Sequence, residues 1–212
     1  MIRSRVVPAL DATLAPLGAR VELLDLRWGV DTSSASAIED AHRKVLGICL
    51  EEIQRCRPLF VGLIGDRFGW VPDRPSIQLV SSRAGLADTL PTEIPSRGLS
   101  ITALECWLGA LASQSDAVFA LRQPDRSHPA AWHDTDTEGI DWLRVRIQHA
   151  CAREPDRVSA FGYTLGFAAG EPIVNDVEEL VRLLVERLTP LVVGRATALL
   201  AEPLTPYQAA IA

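Results

Sequence analysis

The chain contains the runs Val21-Glu-Leu-Leu-Asp-Leu-Arg-Trp-Gly29 and Leu59-Phe-Val-Gly-Leu-Ile-Gly-Asp-Arg-Phe-Gly-Trp70. Each run is mainly apolar and then ends abruptly in charged, aromatic and glycine residues. Buried parallel strands have this composition, because helices cover both faces of the sheet. Residues that follow such strands meet at the carboxyl edge of the sheet, where open α/β folds bind ligands. We therefore predict a parallel α/β sheet in which Leu59–Gly65 is a central, fully buried strand and Val21–Leu26 is another strand.

The rest of the chain alternates between helical and extended patterns. The predicted helices are Ile2–Leu17, Ala37–Arg57, Ile101–Ala112, Gly139–Arg153 and Val177–Val193, and the further strands are Ala117–Leu121 and Val158–Thr164. Ser100 and Asn175 are placed to cap two of these helices. Such alternation is typical of parallel sheets with right-handed crossovers.

Residues 68–99 interrupt this alternation, because they are rich in proline and glycine and show little periodicity. A connection of that length without secondary structure is unusual inside a compact domain. We therefore predict a functional lid or a mobile excursion at this point.

Composition narrows the classes of function. The chain has 212 residues, of which 48% are hydrophobic and 23% are charged, enough for one domain with a core. Its net charge of -6 argues against nucleic-acid binding, which needs clustered Lys and Arg. Lys44 is the only lysine, so the positive charge is arginine, as is typical of a GC-rich bacterial genome. No apolar run suggests a membrane span or a signal peptide, and we expect a cytoplasmic protein.

Cysteine and histidine spacing gives no metal-binding motif. The cysteines Cys49, Cys56, Cys106 and Cys151 form no CxxC pair, and no histidine lies at zinc-ligand spacing. Cys49 and Cys56 are two helical turns apart, so we expect both to be small core residues.

The two strand-end runs resemble the domain of unknown function that precedes NACHT-type nucleotidase modules and WD or TPR repeats in telomerase-associated and nephrocystin-like proteins and in bacterial relatives. The resemblance covers Ile2 to Val193 and implies a flavodoxin-like, TIR-like sheet with helices on both faces. It also implies a signalling or effector front end. Residues 2–193 would form this domain, and residues 194–212 would be a linker or tail towards a nucleotidase module.

The chain departs from that family at its start and in its motifs. The family opens on a strand with a Ser-Ser-Thr-Phe signature, whereas this chain opens on a helix, so the first central strand is expected to be missing. A sheet without its middle strand has open edges that favour aggregation. No GxxxxGK[ST] motif occurs in the chain. Either the gene start is misplaced, which we favour, or the chain is a fragment.

Glu105 is the candidate catalytic residue, in Ser100-Ile-Thr-Ala-Leu-Glu-Cys-Trp107. The resembled family shows a Ser-Ile-Thr-x-x-Glu pattern here, and catalytically active TIR domains carry a glutamate on the corresponding helix. A carboxylate would stabilise the positively charged transition state of nicotinamide cleavage. The alternative interpretation is that Glu105 anchors the long connection through an arginine such as Arg67 or Arg97.

The second candidate site is formed by residues that follow the two predicted strands. Its members are Asp25, Arg27, Trp28, Asp66, Arg67 and Trp70. The arginines could hold a phosphate and the tryptophans could stack on a base, which would suit NAD or another nucleotide. The alternative is an Asp–Arg ion-pair network with tryptophans that close the top of the core.

Three hypotheses for function remain open. The first is a TIR-like interaction module with protein partners or self-association, without nucleic-acid or membrane binding. The second is an enzyme that cleaves NAD or a nucleotide, with Glu105 as its catalytic residue. The third is a non-functional gene fragment. We expect no bound cofactor beyond a nucleotide ligand, and the apolar surplus of the last helix favours a contact with a further module or a second copy.

Overall fold

A computed structural model describes residues 1–24, 46–56, 58–125, 134–168 and 171–201. The chain divides into two compact units, one made of Met1–Leu23 with Val177–Ala212 and the other of Leu24–Asp176. The second unit holds a three-stranded parallel sheet flanked by helices, which confirms the predicted flavodoxin-like α/β class. The predicted limits of the domain, 2–193, and of the tail, 194–212, stay a prediction.

The parallel sheet consists of β1 (Leu59–Ile64), β2 (Asp116–Arg122) and β3 (Val158–Tyr163), in the order β1-β2-β3. The middle strand is therefore β2, and its Ala117–Ala120 segment is fully buried. Within the described residues β1 has β2 as its one neighbour, so the predicted central position of Leu59–Gly65 stays a prediction, but its predicted full burial is wrong. Leu63 is 37% exposed. Because all three strands are apolar, composition did not predict this exposure.

Helices flank this sheet and form a hydrophobic core with it. They are α2 (46–55), α3 (Arg74–Arg83), α4 (Ile101–Cys106), which continues as a wider turn over Trp107–Leu111, and α5 (Glu138–Arg153). Phe119 of β2 is the largest fully buried side chain, and a Cβ atom added to Gly62 would lie 2.5 Å from its ring. Gly62 is therefore required by the space that the packed Phe119 ring occupies.

The region predicted as a lid is instead built into this unit. Residues 68–99 contain α3, begun by an Asp73 side chain that accepts from the Ser76 N–H at 2.8 Å, and a short 3-10 turn at Ala87–Thr89. Its apolar residues Ile77, Val80, Leu86 and Leu99 are buried in the core. The prediction of an irregular excursion was wrong, because the prolines mark helix starts and turns around a packed apolar face.

Two tryptophan side chains hydrogen-bond to residues 68–99 from neighbouring helices. The Trp107 indole N–H donates to the carbonyl of Thr89 at 2.6 Å, and that of Trp142 donates to the carbonyl of Glu93 at 3.2 Å. The two rings lie 6.1 Å apart, and the Arg146 guanidinium sits 5.6 Å from the Trp142 ring. Each indole thus contributes both apolar packing and a hydrogen bond from its ring N–H to the stability of residues 68–99.

The other unit pairs the first and last helices. A wide turn at Ile2–Val6, α1 (Val7–Leu14) and a 3-10 turn at Ala15–Leu17 form the predicted first helix, which ends at Gly18 with φ of +65°. The last helix, α6 (Val177–Ala201), extends past the predicted end at Val193 with Pro190 inside it. Leu180, Leu184, Leu188, Val192 and Ala196 are its buried residues, at helical spacing.

Several smaller predictions failed. Residues 21–24 are not a strand, and the Val21 N–H donates instead to the Asp11 carboxylate at 2.7 Å, while residues 25 and 26 lie outside the described residues. Cys56 is exposed because it follows the end of α2, although Cys49 is buried as predicted. Ile48, expected in the apolar stripe of that helix, is 44% exposed.

Beyond β3 the chain forms a hairpin that the sequence patterns did not predict. It pairs β4 (Leu165–Ala168) with β5 (Glu171–Val174) in antiparallel fashion. Asn175 does not occupy the position before α6, and its side-chain amide donates to the Thr164 hydroxyl at 3.0 Å. None of the described helices combines the length and the apolar character that crossing a membrane requires.

Candidate functional site

The candidate residues fall into three groups in the structure. Asp25, Arg27 and Trp28 lie outside the described residues. Asp66, Arg67 and Trp70 lie in the turn that leaves β1, and Glu105 lies in α4. The predicted convergence of the two strand ends therefore stays a prediction. The turn after β1 and the Glu105 carboxylate on α4 both lie in the described part of the chain.

Asp66 is a buried ion-pair centre at the carboxyl edge of the sheet. It is 8% exposed, and its carboxylate oxygens lie 3.0 Å from the Arg122 Nε and 2.7 Å from the Arg144 Nη2. The Arg144 Nη2 also lies within hydrogen-bonding distance of the carbonyls of Gly65, at 3.0 Å, and Arg122, at 2.8 Å. One arginine thus joins the ends of β1 and β2 to α5.

Asp66 takes part in an ion-pair network with two arginines that the sequence analysis did not name, Arg122 at the end of β2 and Arg144 on α5. The predicted network of Asp25 or Asp66 with Arg27 or Arg67 stays a prediction, because Asp25 and Arg27 lie outside the described residues. A signal for Arg144 was present in the sequence, because it shares the helical stripe of the buried residues Ile140, Leu143 and Ile147. A charged residue in an apolar stripe has to find a buried partner.

Tyr163, the last residue of β3, lies close to the same charges. Burial raises the pKa of its phenol, Asp66 raises it further, and Arg122 and Arg144 lower it. Sequence reasoning missed this residue, and only its place at the end of a predicted strand could have pointed to it. All three strand ends therefore contribute to one polar cluster: Asp66, Arg122, Arg144 and Tyr163.

The turn that follows β1 is held in place by its neighbours. The Phe68 N–H donates to the Asp134 carboxylate at 2.6 Å, and the Ile101 N–H donates to the carbonyl of Trp70 at 3.1 Å. Gly69 has φ of +89°, as expected for a sharp exit from a strand. Arg67 is exposed, with its Nε 4.0 Å from the Asp134 carboxylate, and the Trp70 side chain is 43% exposed.

An open cleft lies beside the polar cluster. Four carboxylates and one guanidinium are among the groups that line it: Asp66, Asp125, Asp134, Asp141 and Arg144. Among the described residues that line the cleft, the balance of charge is negative. Within the described part of the chain, no group of three or more His, Cys, Asp or Glu side chains is arranged to hold a metal ion.

Glu105 is part of α4 and faces Cys49 of α2, an environment different from that of Asp66. Burial raises the pKa of its carboxyl to about 7, and a hydrogen bond from the Cys49 thiol lowers it in part. Burial beside Glu105 raises the pKa of Cys49 to about 12, so the thiol stays protonated and can donate. The arginines proposed as its anchors pair elsewhere, Arg67 with Asp134 and Arg97 with Asp136 at 3.7 Å.

The Glu105 carboxylate is not among the groups that line the cleft. The helix itself starts as predicted, since the Ala103 N–H donates to the Ser100 hydroxyl at 3.1 Å. This start fixes the helical phase, which places Ala103, Leu104 and Cys106 in the core and Glu105 at its margin, partly buried. The structure therefore brings together Asp66, Arg67 and Trp70 in one turn and does not bring Glu105 into the cleft beside them.

Comparison with known proteins places the chain beside one segment of much longer proteins. It is 28% identical over 204 residues to mouse telomerase protein component 1, covering 88% of this chain and 7% of that protein. The rat protein of the same name gives 28% identity over 198 residues with the same two shares. A mouse NACHT domain- and WD repeat-containing protein 1 is 37% identical over 60 residues, covering 26% of this chain and 4% of that protein. No protein family profile and no solved structure matches the chain.

Proposed function

We propose that this chain is a signalling or effector front-end domain of a NACHT-type multidomain protein and acts mainly by binding other proteins. One observation carries the proposal. The similarity to telomerase protein component 1 spans 88% of this chain and only 7% of that protein, which is the pattern of one module in a long assembly. The shorter match to a NACHT and WD-repeat protein supports the same setting.

The electrostatics of the strand ends support binding to protein over binding to a nucleotide. In open α/β folds, a ligand at the carboxyl edge of the sheet needs free donors for its phosphates. Here Arg122 and Arg144 both lie against the Asp66 carboxylate, and the adjoining cleft carries further carboxylates. Buried ion pairs of this kind fix the geometry of strand ends.

A second candidate function is cleavage of NAD or a related nucleotide, and the observation that favours it is the raised pKa of Glu105. A carboxyl that titrates at about 7 is suited to proton transfer at neutral pH. Against it stands its position, because a catalytic group has to reach a substrate, and Glu105 faces Cys49 of α2 outside the cleft.

The proposal is tested by measuring binding between the purified chain and the NACHT domain of the NACHT domain- and WD repeat-containing protein that it resembles. Isothermal titration calorimetry should give a saturable interaction with a dissociation constant at the micromolar end of protein interfaces, about 10⁻⁶ M. The same protein, incubated with NAD⁺, should release no nicotinamide. Absence of binding together with nicotinamide release that Glu105→Gln abolishes would reverse the order of the two candidates.

A further inference from the structure

The last helix, α6, contains a proline in the middle of its length. Pro190 lies inside Val177–Ala201, where it has no N–H to donate to the carbonyl of Glu186. Pro190 shares one face of the helix with Glu186 and Gly194, and all three residues are exposed. The ladder of helix hydrogen bonds is therefore weakened on the side that faces solvent.

The part of α6 before the proline is held by ion pairs. Arg5 pairs with Glu178 in the first turn of the helix. Arg182 lies 2.6 Å from the Glu179 carboxylate and 2.7 Å from that of Glu186. Pairs at these spacings support a helix, and the two acidic residues of the first turn suit its dipole.

The part of α6 after the proline is packed through smaller side chains. The buried leucines of the helix all precede the proline: Leu180, Leu184 and Leu188. The buried residues that follow it are Val192 and Ala196. Less apolar area is therefore lost when this part opens, and Gly194 further lowers its helix propensity. Leu199 and Leu200, near the end of the helix, are 68% and 64% exposed.

The first helix, residues 2–17, ends close to the level of the proline. The pair of Arg5 with Glu178 joins the starts of the two helices, and α1 contacts α6, so both run in the same direction. Leu17 lies as far along the chain from Arg5 as Pro190 does from Glu178. Since helices rise by a similar amount per residue, the first helix supports α6 up to Pro190. Gly18 then ends the first helix at φ of +65°.

We propose that Pro190 is a hinge in α6, at which residues 191–201 open and close as one unit while Val177–Thr189 stays packed. Proteins open locally in cooperative units whose free energies lie below that of global unfolding. Here the unit begins where a helix hydrogen bond is already absent, and its opening leaves the three buried leucines in place. This conformational device goes beyond the proposed interaction function and does not depend on it.

Hydrogen–deuterium exchange, followed by NMR for each amide, tests the hinge. In the wild type, the amides of residues 191–200 should share one low protection factor, with a sharp rise at Thr189. Pro190→Ala restores the missing N–H, so it should raise the protection of these amides about a hundredfold and flatten the step. Thr197→Ala, at an exposed position beyond the proline, is the matched control. It should raise the same amides only about threefold and keep the step at residue 190.

Three results would overturn the hinge. The first is equal protection on both sides of Pro190 in the wild type. The second is protection that falls smoothly from Leu188 to Ala201, which is the ordinary fraying of a helix end. The third is a step that persists in Pro190→Ala, which would show that the proline does not cause it. Circular dichroism and melting temperature establish that both variants fold.

Discussion

Two carboxylates of the sheet unit, Asp66 and Glu105, have little solvent exposure but differ in their ion-pair and hydrogen-bond partners. Asp66 lies between two arginines, so its charge is compensated where it is buried. Glu105 has a thiol as its described hydrogen-bond partner, and burial raises its pKa to about 7. The carboxylate with two arginine partners, Asp66, therefore stabilises the arrangement of the strand ends. The carboxylate that titrates near neutrality lies at a helix contact, away from the cleft.

The largest expected effect is that of Asp66→Asn. Asparagine keeps the shape but leaves Arg122 and Arg144 buried beside each other without their anion. Breaking a buried ion pair by removing one partner costs about 3–5 kcal/mol. Urea unfolding should show this loss as a lower midpoint with an unchanged slope. Asp88→Asn, on an exposed 3-10 turn, is the control and should stay near wild type. An unchanged midpoint for Asp66→Asn would mean that the cluster does not stabilise the strand ends.

Glu105→Gln should have a smaller effect, and one that depends on pH. The folded-state pKa of about 7 lies above the ordinary 4.5, so the fold favours the protonated form. The stability from this group is complete below 4.5 and is lost as pH rises through 7. Glutamine does not titrate, so the variant should equal wild type in acid and be more stable by about 2 kcal/mol near pH 8.

The matched control for this series is Glu51→Gln, because Glu51 is exposed on α2, the helix that Glu105 faces. Its free energy of unfolding should stay within about 0.5 kcal/mol of wild type, as is usual for substitutions at exposed positions. A Glu105→Gln variant that is less stable than wild type at every pH would show that the carboxylate is ionised and paired, as Asp66 is. That result would restore the alternative interpretation of Glu105 as an anchor for an arginine.

The smallest expected effect is that of Arg67→Ala, which removes the residue next to Asp66. Arg67 is exposed, and its Nε lies 4.0 Å from the Asp134 carboxylate. Exposed pairs contribute about 0–1 kcal/mol, so thermal and urea unfolding should change little. Asp134→Ala should cost more, because it also removes the acceptor of the Phe68 N–H. A large loss for Arg67→Ala would make Arg67 a member of the buried cluster.

Local sequence signals predicted the parts of the fold that depend on local physics. The predicted helix at 139–153 and strands at 117–121 and 158–164 match α5, β2 and β3 to within one or two residues, since each has a clear apolar period. The cap at Ser100 was also predictable, because a hydroxyl before a helix satisfies an N–H of its first turn.

The remaining features depend on contacts that are distant in sequence. The partial exposure of β1 was missed because all three strands of the described sheet are apolar. The partners of Asp66 were missed because Arg122 and Arg144 are far along the chain and join it only after the crossovers form. The environment of Glu105 was missed for the same reason, since Cys49 lies on another helix. The strand-end prediction for Asp25, Arg27 and Trp28 stays a prediction.

We propose that Glu105 is a partly buried packing group that does not contact a ligand in the cleft. Its carboxyl titration can be followed by ¹³C NMR, with the resonance assigned by its loss in Glu105→Gln. We predict a midpoint near 7, as the burial of this group requires. Adding NAD⁺ should leave the curve unchanged, because the carboxyl does not face the cleft. A midpoint near the ordinary 4.5, or one that moves when NAD⁺ is added, would contradict the account.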